Sequence, residues 1–222
     1  MKPSRVIDTD VTPNGEPIEL VFERGHYVVR IEGEALMSSA MHGSEEAMAK
    51  LAARRLRDRS PSRVLVGGLG MGFTLRAALE SFEPRVQITV AELIPAVVRF
   101  NHGELGDLAD HPLQDRRVTL FQGDVSTAMS HGNWDAVLMD VDNGPDAFTV
   151  WSNEDLYTAD GIQKATDALS PGGVFVLWSA APSPEFVRVG ASIGVSIEPH
   201  RVRARAKGKG PRHTLFVIQA AE

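Results

Sequence analysis

The stretch VLVGGLGMG, Val64–Gly72, sets three apolar residues directly against a loop that contains four glycines. A short apolar run of this kind is typical of a buried parallel strand, and the helical pattern FTLRAALESF (73–82) follows the loop. Glycine permits positive φ angles and close approach of a ligand to the main chain, and the next helix begins with unpaired N–H groups. The stretch therefore predicts either a tight turn or a loop that binds a ligand through its backbone.

Strand and helix patterns alternate from residue 63 onward, which predicts an α/β fold with a doubly wound, mostly parallel, Rossmann-like sheet. The predicted strands are RVLVG (63–67), VQITVAE (86–92), RVTLFQGD (117–124), WDAVLMD (134–140) and VFVLWSA (174–180). The further predicted helices are PAVVRFNHG (95–103), ADGIQKATDALS (159–170) and PEFVRVGASIG (184–194). The pattern then changes, and SIEPHRVRARA (196–206) with RHTLFVIQA (212–220) predicts an antiparallel hairpin at the end of the sheet.

The residues before this alternation predict a small extension. Residues 16–40 contain short alternating stretches that favour a β-hairpin or meander. Ser44 stands where an N-cap is expected, before a helix EEAMAKLAARRLRD (45–58) that starts with two acids. We therefore expect an N-terminal β/α extension over residues 1–60 and a Rossmann-like catalytic domain over residues 61–222.

Composition excludes several classes of protein. The chain has 222 residues and no cysteine, which excludes disulfides and thiolate metal sites. Its net charge of −6 disfavours a nucleic-acid partner. It has no apolar run near the ~20 residues of a membrane span, and its start, MKPSRVIDTD, has no signal-peptide pattern, so we expect a cytoplasmic protein. The seven histidines show no compact ligand spacing, so no metal site is expected.

Acidic side chains end three of the strands that follow the glycine loop. Glu92 lies 24 residues after Gly68, Asp124 and the adjoining Val125 follow the next strand, and Asp140 and Asp142 follow the fourth. Because the carboxyl ends of parallel strands share one sheet edge, we expect these residues to line a ligand site together. Glu92 suits ribose hydroxyl groups and Asp124 suits an adenine amino group. The alternative is that they are solvated acids.

The remaining candidates concern an acceptor molecule. Asp140 is the best-placed general base for an amine, and Asp142 can share in balancing the charge of a cationic acceptor. Asp140 can equally be a structural acid that caps its loop. Trp151 and Tyr157, and more weakly Glu46, are candidates for an acceptor pocket. The aromatic residues can equally cover the core, and Glu46 can simply serve the helix dipole.

The basic residues of the C-terminal hairpin, Arg201, Arg203 and Arg205, alternate along a strand. They favour the protection of an edge strand over the binding of a phosphate-bearing ligand. Pairing of the N-terminal strands across a homodimer is left open.

The order of these motifs resembles the spermidine synthase (polyamine aminopropyltransferase) branch of the class I S-adenosylmethionine-dependent methyltransferases. The resemblance covers about residues 45–178 and rests on VLVGGLGMGFTLRAALE, VAELIPAVVRFN, VTLFQGDVSTAM, WDAVLMDVDNGP and LYTADGIQKATDALSPGGVFVLW. It implies an S-adenosylmethionine-type cofactor, with Gly68, Gly70 and Gly72 facing its methionine part, Glu92 its ribose and Asp124 its adenine.

The sequence departs from that family where the family holds its amines. Met71 replaces the acid of the family's glycine loop, the Glu45-Glu46 pair keeps only the acid of a His-Glu pair, and the spacing of Asp140 and Asp142 is one residue shorter than in the family. Ile162 and Trp178 replace a tyrosine and a glutamine. We therefore expect methyl transfer from S-adenosylmethionine to a small amine-like acceptor. Aminopropyl transfer from decarboxylated S-adenosylmethionine is the first alternative, and a non-catalytic binding or dimerising module is the second.

Overall fold

The strands of this chain form two separate sheets, and the computed structural model describes them over residues 4–140, 156–205 and 210–222. The first sheet is an antiparallel meander of β1 (Arg5–Val11), β2 (Pro17–Glu23), β3 (His26–Ile31) and β4 (Glu34–Ser38). This confirms the predicted meander and adds β1, which the sequence did not predict. No residue of β1 is fully buried, so the strand lacks the apolar alternation by which strands are recognised.

The second sheet has seven strands in the order β10-β11-β9-β8-β5-β6-β7. Its strands are β5 (Arg63–Gly67), β6 (Gln87–Glu92), β7 (Val118–Gln122), β8 (Trp134–Met139), β9 (Leu169–Ser179), β10 (Glu198–Arg203) and β11 (Arg212–Gln219). The five adjacent strands β9, β8, β5, β6 and β7 are parallel to one another. Beyond β9, the strands β11 and β10 continue the sheet in antiparallel pairing. The predicted fold class and its closing hairpin are confirmed.

Helices cover both faces of this sheet. They are α1 (Gly43–Arg55), α2 (Phe73–Ser81), α3 (Pro95–His102), α4 (Glu104–Leu108), α5 (Val125–Met129), α6 (Ala159–Asp167) and α7 (Pro184–Ser192), with a 3₁₀ turn at Pro112–Gln114. Val64 and Val66 of β5 pack on one face with residues of α1, α2 and α3, while Leu65 packs on the other face with residues of α6 and α7. Burial on both faces explains why the strand reads as a continuous apolar run.

The start of α1 differs from the prediction. The N-cap is His42, and Ser44 lies inside the first turn, where it is completely buried. The prediction of Ser44 as the N-cap is therefore wrong. Its hydroxyl group contacts the adjacent Glu45 and also His213, a tertiary partner that sequence spacing does not reveal.

Side chains of α3 and α4 hold the meander against the larger sheet. The guanidinium group of Arg99 binds the carboxylates of Asp8 and Asp10 on β1, and the hydroxyl group of Tyr27 donates to Glu104 Oε2 at 2.9 Å. At the far side of the meander, the sulfur of Met37 lies 3.6 Å from the point where a Cβ of Gly70 would stand. The meander therefore reaches the glycine loop. Within the described residues, no helix is long and apolar enough to cross a bilayer.

Replacement of Gly72 tests how tightly the loop is packed. Gly72 has φ +81°, and an added Cβ would lie 3.0 Å from Asn101 Oδ1 and 3.1 Å from the Cβ of Ala109. Gly33 has φ +84° and nothing within 4 Å of its Cβ position, so Gly33→Ala carries the same backbone strain without the crowding. We expect Gly33→Ala to cost about 1–2 kcal/mol in the free energy of unfolding and Gly72→Ala clearly more. Urea unfolding measures both, and equal losses would contradict the tight packing.

Candidate functional site

The carboxyl ends of β6, β5 and β8 lie side by side, as the sequence predicts. The amide of Gly68 donates to the carbonyl oxygen of Ala91 at 2.9 Å, and the amide of Asp140 donates to that of Gly67 at 2.8 Å. The loop between β5 and α2 therefore sits between the ends of two neighbouring strands. This is the position at which open α/β sheets bind ligands.

The loop adopts backbone angles that favour glycine. Gly68, Gly70 and Gly72 have φ angles of +87°, +50° and +81°, and Gly72 is the N-cap of α2. Asn101, a buried residue of α3, donates from Nδ2 to the carbonyl oxygen of Gly70 at 2.8 Å. The loop is thus held on the side of α3, and its glycines allow a ligand to approach the main chain on the other side.

Glu92 ends β6 and is only 7% exposed. Its Oε2 accepts the amide of Leu69 at 3.0 Å, and its Oε1 accepts the amide of Ile94 at 2.8 Å. Burial raises the pKa of Glu92, while these amide donors act in the opposite direction. The main-chain amides of Gly70 and Leu93 also lower this pKa, so four backbone donors surround the carboxylate. Glu92 therefore fixes the loop, which the sequence did not indicate, and its part in binding ribose hydroxyl groups stays a prediction.

Asp124 follows β7 on the same edge, since β6 pairs with β7 from Ile88 to Glu92. It is the N-cap of α5 and accepts from the amide of Ser126 at 2.7 Å and from the hydroxyl group of that residue. Val125 lies close to the main chain of β5, with Cγ2 2.8 Å from the Cβ position of Gly67. Both residues therefore lie at the strand ends, and their part in binding adenine stays a prediction.

A pocket of about 200 Å³ opens beside the glycine loop. Its walls come from β4, the start of α1, the glycine loop, the end of β8, β9 with the residue after it, and β11. Its described lining residues are Leu36, Met37, Ser38, Met41, Glu45, Leu69, Gly70, Met71, Phe73, Asp140, Trp178, Ala180 and His213. Two carboxylates and one histidine thus stand in a largely apolar wall, and the described lining contains neither lysine nor arginine.

Asp140 is one of the two acids in this pocket. Its Oδ2 accepts the hydroxyl group of Thr74, in the first turn of α2, at 2.5 Å. Asp142 and Trp151, which were predicted for the catalytic and acceptor groups, lie outside the described residues. Tyr157 is described, and its ring packs edge-on against Phe186 at 5.2 Å, in the core cluster on the face opposite α1. Among the described candidates for the chemistry, Asp140 is therefore the one that faces the pocket.

Glu45 is the second acid, and sequence reasoning passed over it in favour of its neighbour. Burial, followed by the charge of Asp140, raises the pKa of Glu45 to about 8. Glu46 does not line the pocket; its Oε1 accepts from His42 Nδ1 at 2.9 Å and from Arg76 at 3.0 Å, and its Oε2 contacts Lys50. Successive helix residues differ by about 100° in direction, so only one of two adjacent acids can face the pocket.

Three further side chains connect Glu45 to the C-terminal hairpin. The hydroxyl oxygen of Ser44 lies 2.7 Å from Glu45 Oε2 and 2.9 Å from His213 Nδ1. Trp178 Nε1 donates to the same Nδ1 at 3.2 Å. Burial lowers the pKa of His213 and favours the neutral ring. No motif in the sequence signals this group, because its members come from α1, β9 and β11.

The solved structures that share the fold of this chain include three spermidine synthases or probable spermidine synthases. One is a spermidine synthase in complex with the transition state analogue AdoDATO (TM-score 0.73, 17% identity, covering 97% of this chain and 72% of that chain). The others are a spermidine synthase from Thermotoga maritima (0.76, 17%, 97% and 72%) and a probable spermidine synthase from Corynebacterium glutamicum ATCC 13032 (0.60, 17%, 100% and 81%). No protein-family model and no curated protein matches the chain. The chain therefore has the fold of the spermidine synthases.

The raised pKa of Glu45 predicts a pH-dependent cost in stability. The folded state holds the proton of Glu45 more tightly than the unfolded chain, so wild type should lose stability relative to Glu45→Gln as the pH rises from about 4.5 to 8. We expect a difference on the order of 2–4 kcal/mol between pH 5 and pH 9. Urea unfolding at both pH values measures it, with Glu80→Gln as a charge-matched control. Parallel pH curves for wild type and Glu45→Gln would contradict the assignment.

Proposed function

We propose that this chain is a transferase that moves an aminopropyl group from decarboxylated S-adenosylmethionine to a small amine. The observation that carries the proposal is the pair of carboxylates, Glu45 and Asp140, in an otherwise apolar pocket beside the glycine loop. Such a wall suits ammonium groups separated by methylene carbons, because acids attract the charge and apolar side chains pack against the chain. The shared fold with spermidine synthases supports the same choice.

The residues around the loop suit the nucleoside part of such a donor. Glu92, which ends β6 beside the loop, would accept the ribose hydroxyl groups, and Asp124, at the end of the next strand, would accept from the adenine amino group. Gly70 lines the pocket, so the main chain of the loop borders the space beside Met37. When bound, the donor supplies a sulfonium-activated carbon, to which the acceptor nitrogen forms a C–N bond while the C–S bond breaks and its electron pair stays on sulfur.

The protein's own task in this chemistry is alignment and proton removal. An amine acts as a nucleophile only without its extra proton, and a partly buried carboxylate can take that proton. Asp140 and Glu45 both face the space where the acceptor would lie, and Phe73 and Trp178 would exclude water from it. Binding of the donor without turnover would instead favour the non-catalytic alternative.

Methyl transfer from S-adenosylmethionine, the first expectation from the sequence, is the second candidate. Met71 favours it, because the loop lacks the acid with which the spermidine synthases bind the donor amine. Against it, the carboxylate of S-adenosylmethionine would enter a pocket that already contains Glu45 and Asp140. Removal of that carboxylate removes the repulsion, so we rank aminopropyl transfer first.

Calorimetry with both donors separates the two candidates. We expect decarboxylated S-adenosylmethionine to bind more tightly than S-adenosylmethionine, because only the latter places a carboxylate near two acids. Glu92→Ala should weaken the binding of either donor by roughly 10- to 150-fold, since it removes a charged acceptor of hydroxyl hydrogen bonds worth about 1.5–3 kcal/mol. Tighter binding of S-adenosylmethionine would restore methyl transfer. Absence of binding by both at millimolar concentration would refute the proposed function.

Substitution of Asp140 separates the acceptor side from the donor side. Asp140→Asn keeps an oxygen for the hydroxyl group of Thr74 but loses the charge that faces the acceptor. Affinity for decarboxylated S-adenosylmethionine should change little, affinity for S-adenosylmethionine should rise because a repelling charge is lost, and turnover should fall by about 10²-fold or more. Thr74→Val, which removes only the hydrogen-bond donor, should cost less. If Asp140→Asn instead unfolds or loses the donor, Asp140 is a structural acid.

A further inference from the structure

Two acids face the pocket, and the partners of Glu45 fit both a charged and a neutral carboxyl group. The carboxylate of Asp140 accepts from the hydroxyl group of Thr74. Glu45 instead contacts the hydroxyl group of Ser44, which has a second neighbour in His213 Nδ1 at 2.9 Å. A serine hydroxyl group carries one proton and can both donate and accept. The direction of these hydrogen bonds therefore depends on where the protons are.

Trp178 determines the state of His213. An indole N–H can only donate, so the 3.2 Å contact from Trp178 Nε1 makes Nδ1 of His213 an acceptor. The proton of the neutral ring then resides on Nε2. The two rings meet edge to face, with centroids 4.8 Å apart, which fixes the orientation of the imidazole. His213 thus presents an unprotonated nitrogen to Ser44.

Ser44 can consequently serve Glu45 in both protonation states. When Glu45 is neutral, its carboxyl O–H donates to Ser44 Oγ, and the hydroxyl group of Ser44 donates to His213 Nδ1, whose one lone pair it shares with the N–H group of Trp178. When Glu45 is ionised, the hydroxyl group of Ser44 turns and donates to Glu45 Oε2, while His213 Nδ1 keeps the donor of Trp178. Neither state leaves a completely buried hydroxyl group without a partner, so the carboxyl group can gain and lose a proton in place.

We propose that Glu45 removes the proton from the acceptor amine, and that Ser44, His213 and Trp178 are positioning residues that hold its carboxyl group ready for either state. This assignment rests on the proposed transfer to an amine. In the step, one N–H bond of the ammonium group breaks, its electron pair stays on nitrogen, and the proton forms an O–H bond with Glu45. Asp140 keeps its negative charge and binds the ammonium group that remains on the acceptor.

The groups that surround Glu45 determine the direction of each expected effect. They are Asp140 after β8, His213 on β11, and Glu46 on the same helix, and the described pocket lining adds no lysine or arginine. The negative charge of Asp140 disfavours ionisation of Glu45, while the hydrogen bond from Ser44 favours it. Removal of one or the other should therefore move the titration of Glu45 in opposite directions.

The test is the pH dependence of kcat/KM for the acceptor amine in the full-length protein. Wild type should rise tenfold per pH unit up to about pH 8 and then level. Ser44→Ala should move this rise to higher pH and Asp140→Asn to lower pH, while Glu45→Gln should lose it and fall by at least 10²-fold at pH 8. Glu80→Gln, an exposed acid on α2, should leave it unchanged. Carbon-13 NMR of the glutamate carboxyl groups should show a matching titration that Glu45→Gln lacks.

The two proposals fail in different ways. If wild type is active and Glu45→Gln keeps the same pH rise, or if Ser44→Ala and Asp140→Asn shift it in the same direction, the assignment of Glu45 is overturned while the proposed function stands. If wild type turns over no amine with either donor, the proposed function fails and the proton transfer with it, even where the NMR titration follows the expected shifts. Opposite shifts in both measurements would support the assignment.

Discussion

The buried carboxylate of Glu92 is the contact on which the candidate site depends. It joins the amide of Leu69, in the glycine loop, to the amide of Ile94, at the turn into α3. Burial of a carboxylate is costly, and it is tolerated here because main-chain donors that would otherwise lack partners receive it. The loop, the N-terminus of α2 and the end of β6 are therefore fixed relative to one another. The position of the pocket residues in the glycine loop depends on that arrangement.

The sequence predicted this edge well because the relevant signals are local. Glycines after an apolar strand, and acids at the ends of strands, are visible within a few residues, and parallel pairing brings them to one edge without further information. The sheet, its closing hairpin and the positions of Glu92 and Asp140 follow from that rule. The sequence did not predict β1, because an edge strand with acids at alternate positions has no apolar period.

The acceptor side could not be predicted in the same way, because its contacts join distant parts of the chain. The choice between Glu45 and Glu46 depends on how α1 is rotated, and that rotation is set by partners elsewhere. Ser44 meets His213 across 169 residues of sequence, and no spacing rule links them. Trp178 reads in the sequence only as a replacement for a glutamine, yet its N–H fixes the tautomer of His213.

The meander and the C-terminal hairpin each contribute part of the pocket, while the five parallel strands carry the edge at which the glycine loop lies. Met37 and Ser38 come from the meander and His213 from the hairpin, so part of the pocket wall is built from segments outside the parallel strands. In evolutionary terms, this separates two kinds of change. Substitutions in the terminal segments can alter the shape and charge offered to an acceptor, while the central strands keep the packing on which folding depends. Such substitutions can therefore change which molecules the pocket fits without loss of the fold.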